Sequence, residues 1–577
     1  MTVKITIDGR EYNVPKDSTV LEAAKSVGVK IPTLCYHPEL RLEGACRVCV
    51  VEVKGGRSLV ASCVYPVNEG MEVTTNSKKV RDARKNVVEL LLANHPEDCL
   101  SCQRNLNCEL QTIASDLGVR DIKFTGEKAQ YEIDDTNPSL IRDPNKCIKC
   151  GRCVRACSEI QGLSVYSFVN RGFESIVAPA FNLGLKDVAC TFCGQCAVVC
   201  PTGAIVERDN TADVWAAIND PTKHVIVQTA PATRVGLGEA LGLPAGSAVT
   251  GKMVEALKRL GFDKVFDTNF TADLTIMEEG TEFIGRVTNG GVLPMITSCS
   301  PGWVNFIELK YPDLLPHLST AKSPQQMFGA LAKTFYAEKA GLDPKDIVSV
   351  SIMPCTAKKF EAARPEMTSN QGGYRDVDYV LTTRELGRMI KQAYIDFNNL
   401  PESQYDAPMG IGTGAAVIFG ATGGVMEAAL RTVAVVVSGK ELENIEFKDV
   451  RGLTGIKEAL IPVMEGLTVK VAVAHTLSNA AKLLDKIRAG EASDYHFIEI
   501  MACPGGCASG GGQPILKSPE DRQKRIDALY QCDIDLPLRN SHENPEVMAL
   551  YKEYLGEPNG EKAHHLLHTH YHQQKRV

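Results

Sequence analysis

The 577-residue chain has no apolar run near the ~18 residues needed to cross a bilayer, so no membrane-spanning helix is expected. Its longest candidate, Val433 to Val437, reads as a buried strand at most. It also lacks an excess of positive charge: 63 Lys and Arg against 70 Asp and Glu leave −7. That argues against a nucleic-acid binder, which is expected to be basic. The opening MTVKITIDGREYNV has no basic stretch followed by an apolar one, as a secretory leader would, so a cytoplasmic setting is expected. Gly410-Ile-Gly-Thr-Gly414 resembles a dinucleotide loop but lacks the full G-x-G-x-x-G spacing, and no nucleotide site is read there. What is present is ordinary globular composition, 44% hydrophobic and 23% charged, at a length that suggests roughly four domains. The outlying feature is 20 cysteines.

Residues 3–14 alternate apolar and polar around Asp8-Gly9, the pattern of a β-hairpin. A helix is expected from about Thr19, with Val20, Leu21, Ala24 and Val27 on its apolar side and Gly28 ending it. A second helix, Lys78 to Asn94, has Val80, Val87, Leu90 and Leu91 as its stripe. Polar sequence from Thr125 to Asn145 reads as a connector. Beyond Asp209, β-rich runs at 225–227, 348–352 and 469–474 alternate with helical stretches at 252–260 and 480–488, which predicts an α/β domain with a parallel sheet.

In a cytosolic chain so many cysteines point to metal or redox chemistry rather than disulfides. Cys147-x2-Cys150-x2-Cys153-x3-Cys157 and Cys190-x2-Cys193-x2-Cys196-x3-Cys200-Pro201 form a repeat with the spacing of bacterial two-cluster ferredoxins. In that spacing the fourth cysteine of each run serves the other cluster. Cys147, Cys150, Cys153 and Cys200 are therefore expected to hold one [4Fe–4S], and Cys190, Cys193, Cys196 and Cys157 a second; paired zinc sites are the alternative. Cys35, Cys46, Cys49 and Cys63 follow the hairpin–helix segment. This context resembles a plant-type β-grasp ferredoxin with [2Fe–2S], although the first gap is longer; a zinc ribbon is the alternative. Cys99, Cys102 and Cys108 leave a third cubane one ligand short, and His95, at the end of the preceding helix, is the candidate fourth. A neutral imidazole in place of a thiolate should raise that cluster's potential. Four accessory clusters in line amount to an electron wire.

Cys299, Cys355, Cys503 and Cys507 lie in Thr297-Ser-Cys-Ser-Pro-Gly-Trp303, Met353-Pro-Cys-Thr-Ala-Lys-Lys-Phe-Glu361 and Met501-Ala-Cys-Pro-Gly-Gly-Cys-Ala-Ser-Gly-Gly-Gly-Gln-Pro514. These loops resemble the signature loops of [FeFe]-hydrogenases, and the whole chain is similar to the clostridial type with four accessory clusters. The resemblance implies an enzyme catalysing 2H⁺ + 2e⁻ ⇌ H₂ at an H-cluster, a [4Fe–4S] cubane joined by one thiolate to a two-iron subsite carrying CO, cyanide and a bridging dithiolate. It implies that Cys355 and Cys503 ligate the cubane, that Cys507 bridges to the subsite, and that Lys358 hydrogen-bonds a cyanide. Ala230, Pro231, Gln325, Met353, Met501 and Phe419 would wall the subsite. The proton path would run through Arg286, Glu282, Ser319, Glu279 and Cys299. On composition alone Glu279 and Glu282 read instead as a solvated helix face, with Arg286 as the i,i+4 partner of Glu282.

The family commonly has two adjacent cysteines in the first loop, a proton relay and then a cubane ligand; this chain has Cys299 followed by Ser300. Either Cys299 is the relay and Ser300 stands at the ligand position, or Cys299 itself ligates, or the cubane is impaired. The expected fold class is multidomain α+β and α/β. A β-grasp [2Fe–2S] domain spans 1–79, a His/Cys3 [4Fe–4S] domain 80–125, a two-[4Fe–4S] ferredoxin domain 126–209 and a large α/β catalytic domain 210–577. Expected partners are a ferredoxin or a flavin-containing subunit linking the enzyme to NAD(P), and maturation proteins that build the subsite. Other readings are an electron-transfer subunit resembling the large iron–sulfur subunit of respiratory NADH dehydrogenases, or a non-catalytic sensor or scaffold. Cys532 reads as a plain thiol, and His564 to His572 as an exposed tail.

Overall fold

The computed structural model describes residues 1–369, 373–440, 442, 444–464, 467–492 and 494–576. β1 (Thr2–Ile7) and β2 (Arg10–Pro15) pair antiparallel around Asp8-Gly9. Both turn residues have positive φ, 47° and 81°, as a tight two-residue hairpin requires. The helix Val20–Ser26 begins at Thr19, which exchanges hydrogen bonds with Glu22 in a capping box. β3 (Val50–Val53), β4 (Val60–Ala61) and β5 (Glu72–Thr74) complete a sheet of order β2-β1-β5-β3-β4, with β5 parallel to β1.

The helix Lys78–Ala93 carries Val80 and Val88 inward, but Leu90, expected on the stripe, is 54% exposed. The buried line runs 80-84-88, one residue per turn. Arg84 fills its middle by donating to the Val50 carbonyl at 2.8 Å, so a polar residue holds a place that apolar counting assigned elsewhere. The expected connector contains β6 (Leu140–Arg142), which pairs with β9 (Ile205–Glu207); both four-cysteine runs lie between them, as does the ribbon of β7 (Ser167–Val169) and β8 (Ile176–Ala178).

The C-terminal region holds two four-stranded sheets. β10 (His224–Thr229), β11 (Lys264–Asp267), β13 (Ile347–Met353) and β14 (Tyr379–Thr382) form an all-parallel sheet of order β11-β10-β13-β14. β12 (Met295–Ile296), β15 (Ile456–Met464), β16 (Leu467–His475) and β17 (Phe497–Met501) form the second, of order β12-β17-β16-β15. Here the expectation of a parallel sheet holds for β12, β17 and β16 but not for β15, which pairs antiparallel with β16. The 22-residue helix Thr268–Asn289 serves both sheets. Its Phe270 and Leu274 pack with Ile226 and Phe266 of the first, and its Ile276 and Phe283 with Val471 and Phe497 of the second.

Two further expectations are overturned. Val433 to Val437 is not a strand but the end of the helix Gly424–Ser438; Val433 is buried and Val436 is 55% exposed. Ala429, Leu430 and Val433 pack on Val469 and Val471, and this burial outweighs the weak β-preference of valine. The C-terminal histidines are not wholly an exposed tail. The helix Glu561–Leu567 buries Ala563, Leu566 and Leu567 against Phe328 and Leu331, and His568 is 6% exposed.

Candidate active site

Strands β10, β12, β13 and β17 lead at their C-terminal ends into one shared crevice, where ligands of open α/β sheets bind. β10 delivers Ala230 and Pro231, β13 delivers Met353 to Cys355, β12 leads to Cys299 and Ser300, and β17 delivers Met501 to Cys503. The crevice is a cavity with about 830 Å³ of empty volume. Its lining includes the four expected loop cysteines, Ser300, Lys358, Ala230, Pro231, Gln325, Met353, Met501 and Phe419. It also includes Cys193, which comes from the second four-cysteine run and which sequence reasoning did not place here.

The chemistry of this lining suits an iron–sulfur cluster. All 20 cysteines are free of disulfides. Burial pushes the Cys355 thiol up to about 11 and the Cys507 thiol up to about 12, and raises Cys503 further, with Cys355, Cys193 and Cys507 adding to its burden. Buried, unpaired thiols in an apolar cavity are costly to ionise unless a metal takes up the charge. The third loop fits closely: a Cβ on Gly510 would meet the Pro354 carbonyl at 2.1 Å, and one on Gly511 the Cys193 carbonyl at 2.3 Å. The glycine run thus locks the third loop to the second and to the accessory module.

Lys358, on the helix Ala357–Ala362, is held by Glu361 at 2.9 Å and by the Cys299 carbonyl at 3.1 Å. Glu361 also receives Gln325 Nε2 at 3.0 Å and the Ser323 hydroxyl at 2.9 Å. This positioning carboxylate was legible only as the i,i+3 neighbour of Lys358. Ser300 Oγ accepts from the Ala502 N–H at 3.3 Å, beside Cys503. Cys299 packs instead with the cluster that holds Phe419 and Met501. Burial raises its thiol well above the usual range, with Glu279 contributing and Lys358 opposing.

Along the helix Thr268–Asn289, Glu282 is fixed by Arg286 at 2.6 Å and accepts the Ser319 hydroxyl at 2.9 Å. Arg286 is itself braced on the carbonyls of Leu318, His317, Pro316 and Val292. The reading of Glu279 as a solvated face is overturned: it is fully buried, and neither carboxylate oxygen has a hydrogen-bond partner. Burial first, and the neighbouring Glu282 second, push it up to about 8, with Ser319 and the Ser298 N–H opposing. A second cavity, open to the surface and with about 750 Å³ of empty volume, lies at the outer end beside Glu282, Arg286, Thr320, His564 and His568.

The accessory cysteines also gather. A cavity of about 430 Å³ is lined by Cys147, Cys150, Cys153 and Cys200, the crossed set that the spacing predicts. Burial raises the Cys196 thiol well above its ordinary value, and Cys193, Cys190 and Cys157 add to the rise, which puts the other crossed set around one place. Cys49 and Cys63 lie 3.4 Å apart, and the Cys46 N–H points to Cys35 Sγ at 3.5 Å. His95 Nδ1 meets the Pro96 carbonyl at 2.8 Å, while its buried Nε2 has no partner. One ring nitrogen held by a carbonyl and the other left over is the arrangement of a ligating histidine. Gln195 Nε2 donates to the Ser509 carbonyl at 3.1 Å and the Thr356 hydroxyl to the Phe192 carbonyl at 2.8 Å, fastening the second run to the main cavity.

Comparison with known proteins agrees with this geometry. Residues 223–511 match the iron only hydrogenase large subunit, C-terminal domain, and 519–574 the iron hydrogenase small subunit. Residues 1–78 match a 2Fe-2S iron-sulfur cluster binding domain, 84–123 the NADH-ubiquinone oxidoreductase-G iron-sulfur binding region, and 146–204 a 4Fe-4S dicluster domain. The chain is 52% identical to the NADP-reducing hydrogenase subunit HndD of Solidesulfovibrio fructosivorans, over 99% of both chains. It is 43% identical to iron hydrogenase 1 of Clostridium pasteurianum, over 98% of this chain and 99% of that one. A solved structure of [FeFe]-hydrogenase HydA1 from Chlamydomonas reinhardtii aligns at 47% identity and a TM-score of 0.58, covering 63% of this chain and 99% of the other.

Proposed function

The chain belongs to the [FeFe]-hydrogenases of clostridial type, and from that premise we propose how its residues carry out the interconversion of protons, electrons and H₂. The observation that carries the proposal is the main cavity. Loops spread over more than 200 residues bring the thiols of Cys299, Cys355, Cys503 and Cys507, one lysine and an apolar wall to a single crevice. An H-cluster fits there, with Cys355, Cys503 and Cys507 as thiolate ligands and Ser300 at the fourth position. When bound, it supplies the electron store and the open iron site at which hydrogen is made or split.

The residues do the rest. Lys358, oriented by Glu361, presents a cation to the anionic ligands of the cluster. Ala230, Pro231, Met353, Met501 and Phe419 exclude water. Arg286 orients Glu282, and Ser319, which donates to Glu282, lies near enough to Glu279 to oppose the rise of its pKa. Glu279 takes and gives a proton near neutrality at a cost of about 1.4 kcal/mol per pH unit. Cys299 is the last thiol before the cavity. The proton path is therefore a run of short hops between carboxylates, a hydroxyl and a thiol.

We assign four modules, at 1–79, 80–125, 126–209 and 210–577. The β2-β1-β5-β3 order of the first supports a β-grasp fold, and the family matches fall within these bounds. One [2Fe–2S] at Cys35, Cys46, Cys49 and Cys63 and three [4Fe–4S], including one with His95, Cys99, Cys102 and Cys108, would carry electrons to Cys193 at the cavity wall. The name of the Solidesulfovibrio relative, a subunit of an NADP-reducing hydrogenase, supports a partner subunit that links the chain to NADP over a free ferredoxin. Hydrogen evolution by the anaerobically matured chain with reduced methyl viologen tests the function. Loss of evolution when Cys507→Ala is introduced is expected, and full activity in that variant would refute the site.

A further inference from the structure

Arg286, the outermost member of the proton path, cannot be its entrance as a relay, because a guanidinium does not give up its proton in water. The mouth of the path needs a group that can both take and give a proton, and the docked C-terminal segment brings an imidazole to it. His568 Nδ1 lies 2.8 Å from Thr320 Oγ1, and the Thr320 hydroxyl reaches Glu282 Oε2 at 3.3 Å. On its other side, His568 Nε2 lies 3.0 Å from Glu278 Oε2. Glu278 is fully buried and is also held by the Tyr551 hydroxyl and by the Asn559 N–H at 2.8 Å. His564 stacks on His568 with ring centroids 4.7 Å apart and faces solvent. Both rings, with Thr320, Glu282 and Arg286, line the open outer cavity.

We propose that His568, with Glu278 as its counter-charge, is the residue that loads protons onto Glu282 through the Thr320 hydroxyl. This deepens the proton-path reading above and rests on it. The imidazolium gives its Nδ1 proton to Thr320 Oγ1 while the hydroxyl gives its own to Glu282 Oε2. The ring is left neutral and Glu282 protonated, and hydronium in the outer cavity restores the ring. The charged and titratable groups around this mouth are Glu278, Glu282 and Arg286 from the long helix, Tyr551, which donates to Glu278, and His564 and His570 from the C-terminal segment; the Asn559 side-chain amide also reaches His568 Nε2 at 3.1 Å. Lys322, on the neighbouring loop, is turned to Asp376 and Ser369.

The test is hydrogen evolution by the matured full chain with reduced methyl viologen, from pH 6 to pH 8.5. His568→Ala should lower turnover by about tenfold at the alkaline end, where hydronium is scarce, and little at pH 6. That is less than the 10²–10⁴ of a sole relay, because Glu282 is also wetted by the cavity. Added imidazole should restore the loss, and the infrared bands of metal-bound CO and cyanide should stay unchanged. Thr320→Val, which keeps the side chain's shape, should give the same alkaline loss without rescue. Parental profiles in both variants would overturn the proposal, and so would a loss in His568→Ala that is equal at every pH and untouched by imidazole. Glu279→Gln run in parallel separates the two levels: if it is impaired while both tested variants are not, the path stands and this entrance falls.

Discussion

Glu279→Gln separates a proton carrier from a structural residue, because the two roles predict opposite changes. The buried carboxyl has no hydrogen-bond partner and is pushed from 4.5 to about 8. Between those values the folded chain holds a proton that the unfolded chain has released, so this group makes stability fall as pH rises. At pH 7, about 2.5 pH units above the ordinary value at 1.36 kcal/mol each, the cost is about 3 kcal/mol. Glutamine has nearly the same shape and no charge, so it removes that cost. The variant should therefore be more stable than the parent, by nothing below pH 4.5 and by about 3 kcal/mol at pH 7. It cannot pass a proton, so turnover should fall by about 10²–10⁴-fold. The assays are denaturant unfolding of both proteins at pH 5 and pH 8 under argon, and hydrogen evolution at matched iron content. Unchanged turnover would refute the relay. A stability loss that is independent of pH would refute the electrostatic argument.

Other substitutions probe the remaining links. Cys299→Ala should cut turnover steeply while the iron content of the matured protein is unchanged; loss of iron instead would make Cys299 a ligand. Ser300→Cys should sharpen or shift the cubane's EPR signal, since a thiolate is the better ligand. An unchanged signal with unchanged turnover would mean that Ser300 does not limit the cluster. His95→Ala should cost one accessory [4Fe–4S] by iron analysis, and His95→Cys should keep the cluster at a lower midpoint potential; full iron in the alanine variant would show that the imidazole is not a ligand.

Much of the site was legible in the sequence because metal chemistry restricts local spacing. Two runs of four cysteines specify crossed ligand sets, and Cys200 does join Cys147, Cys150 and Cys153 around one cavity. The capped helix at Thr19 and the Asp8-Gly9 turn were legible for the same reason, being decided within a few residues. What was not legible depends on long-range packing. Val433 to Val437 is helical because the second sheet needs an apolar helix face there, not because of local preference. Arg84 replaces an apolar residue in the buried line because a carbonyl 34 residues away receives it. His568 resembles part of a solvated tail until Leu566 and Leu567 bring it beneath the long helix. Cys193 reaches the main cavity only once Gly511 packs against its carbonyl.

The central claim is that the crevice between the two sheets holds a two-iron subsite fastened by Cys507. Infrared spectroscopy of the anaerobically matured chain tests it most directly. Bands of metal-bound CO and cyanide are expected in the parent, and their loss in Cys507→Ala with the accessory-cluster EPR signals retained. Bands that persist in Cys507→Ala, or a fully iron-loaded and matured parent without them, would contradict it.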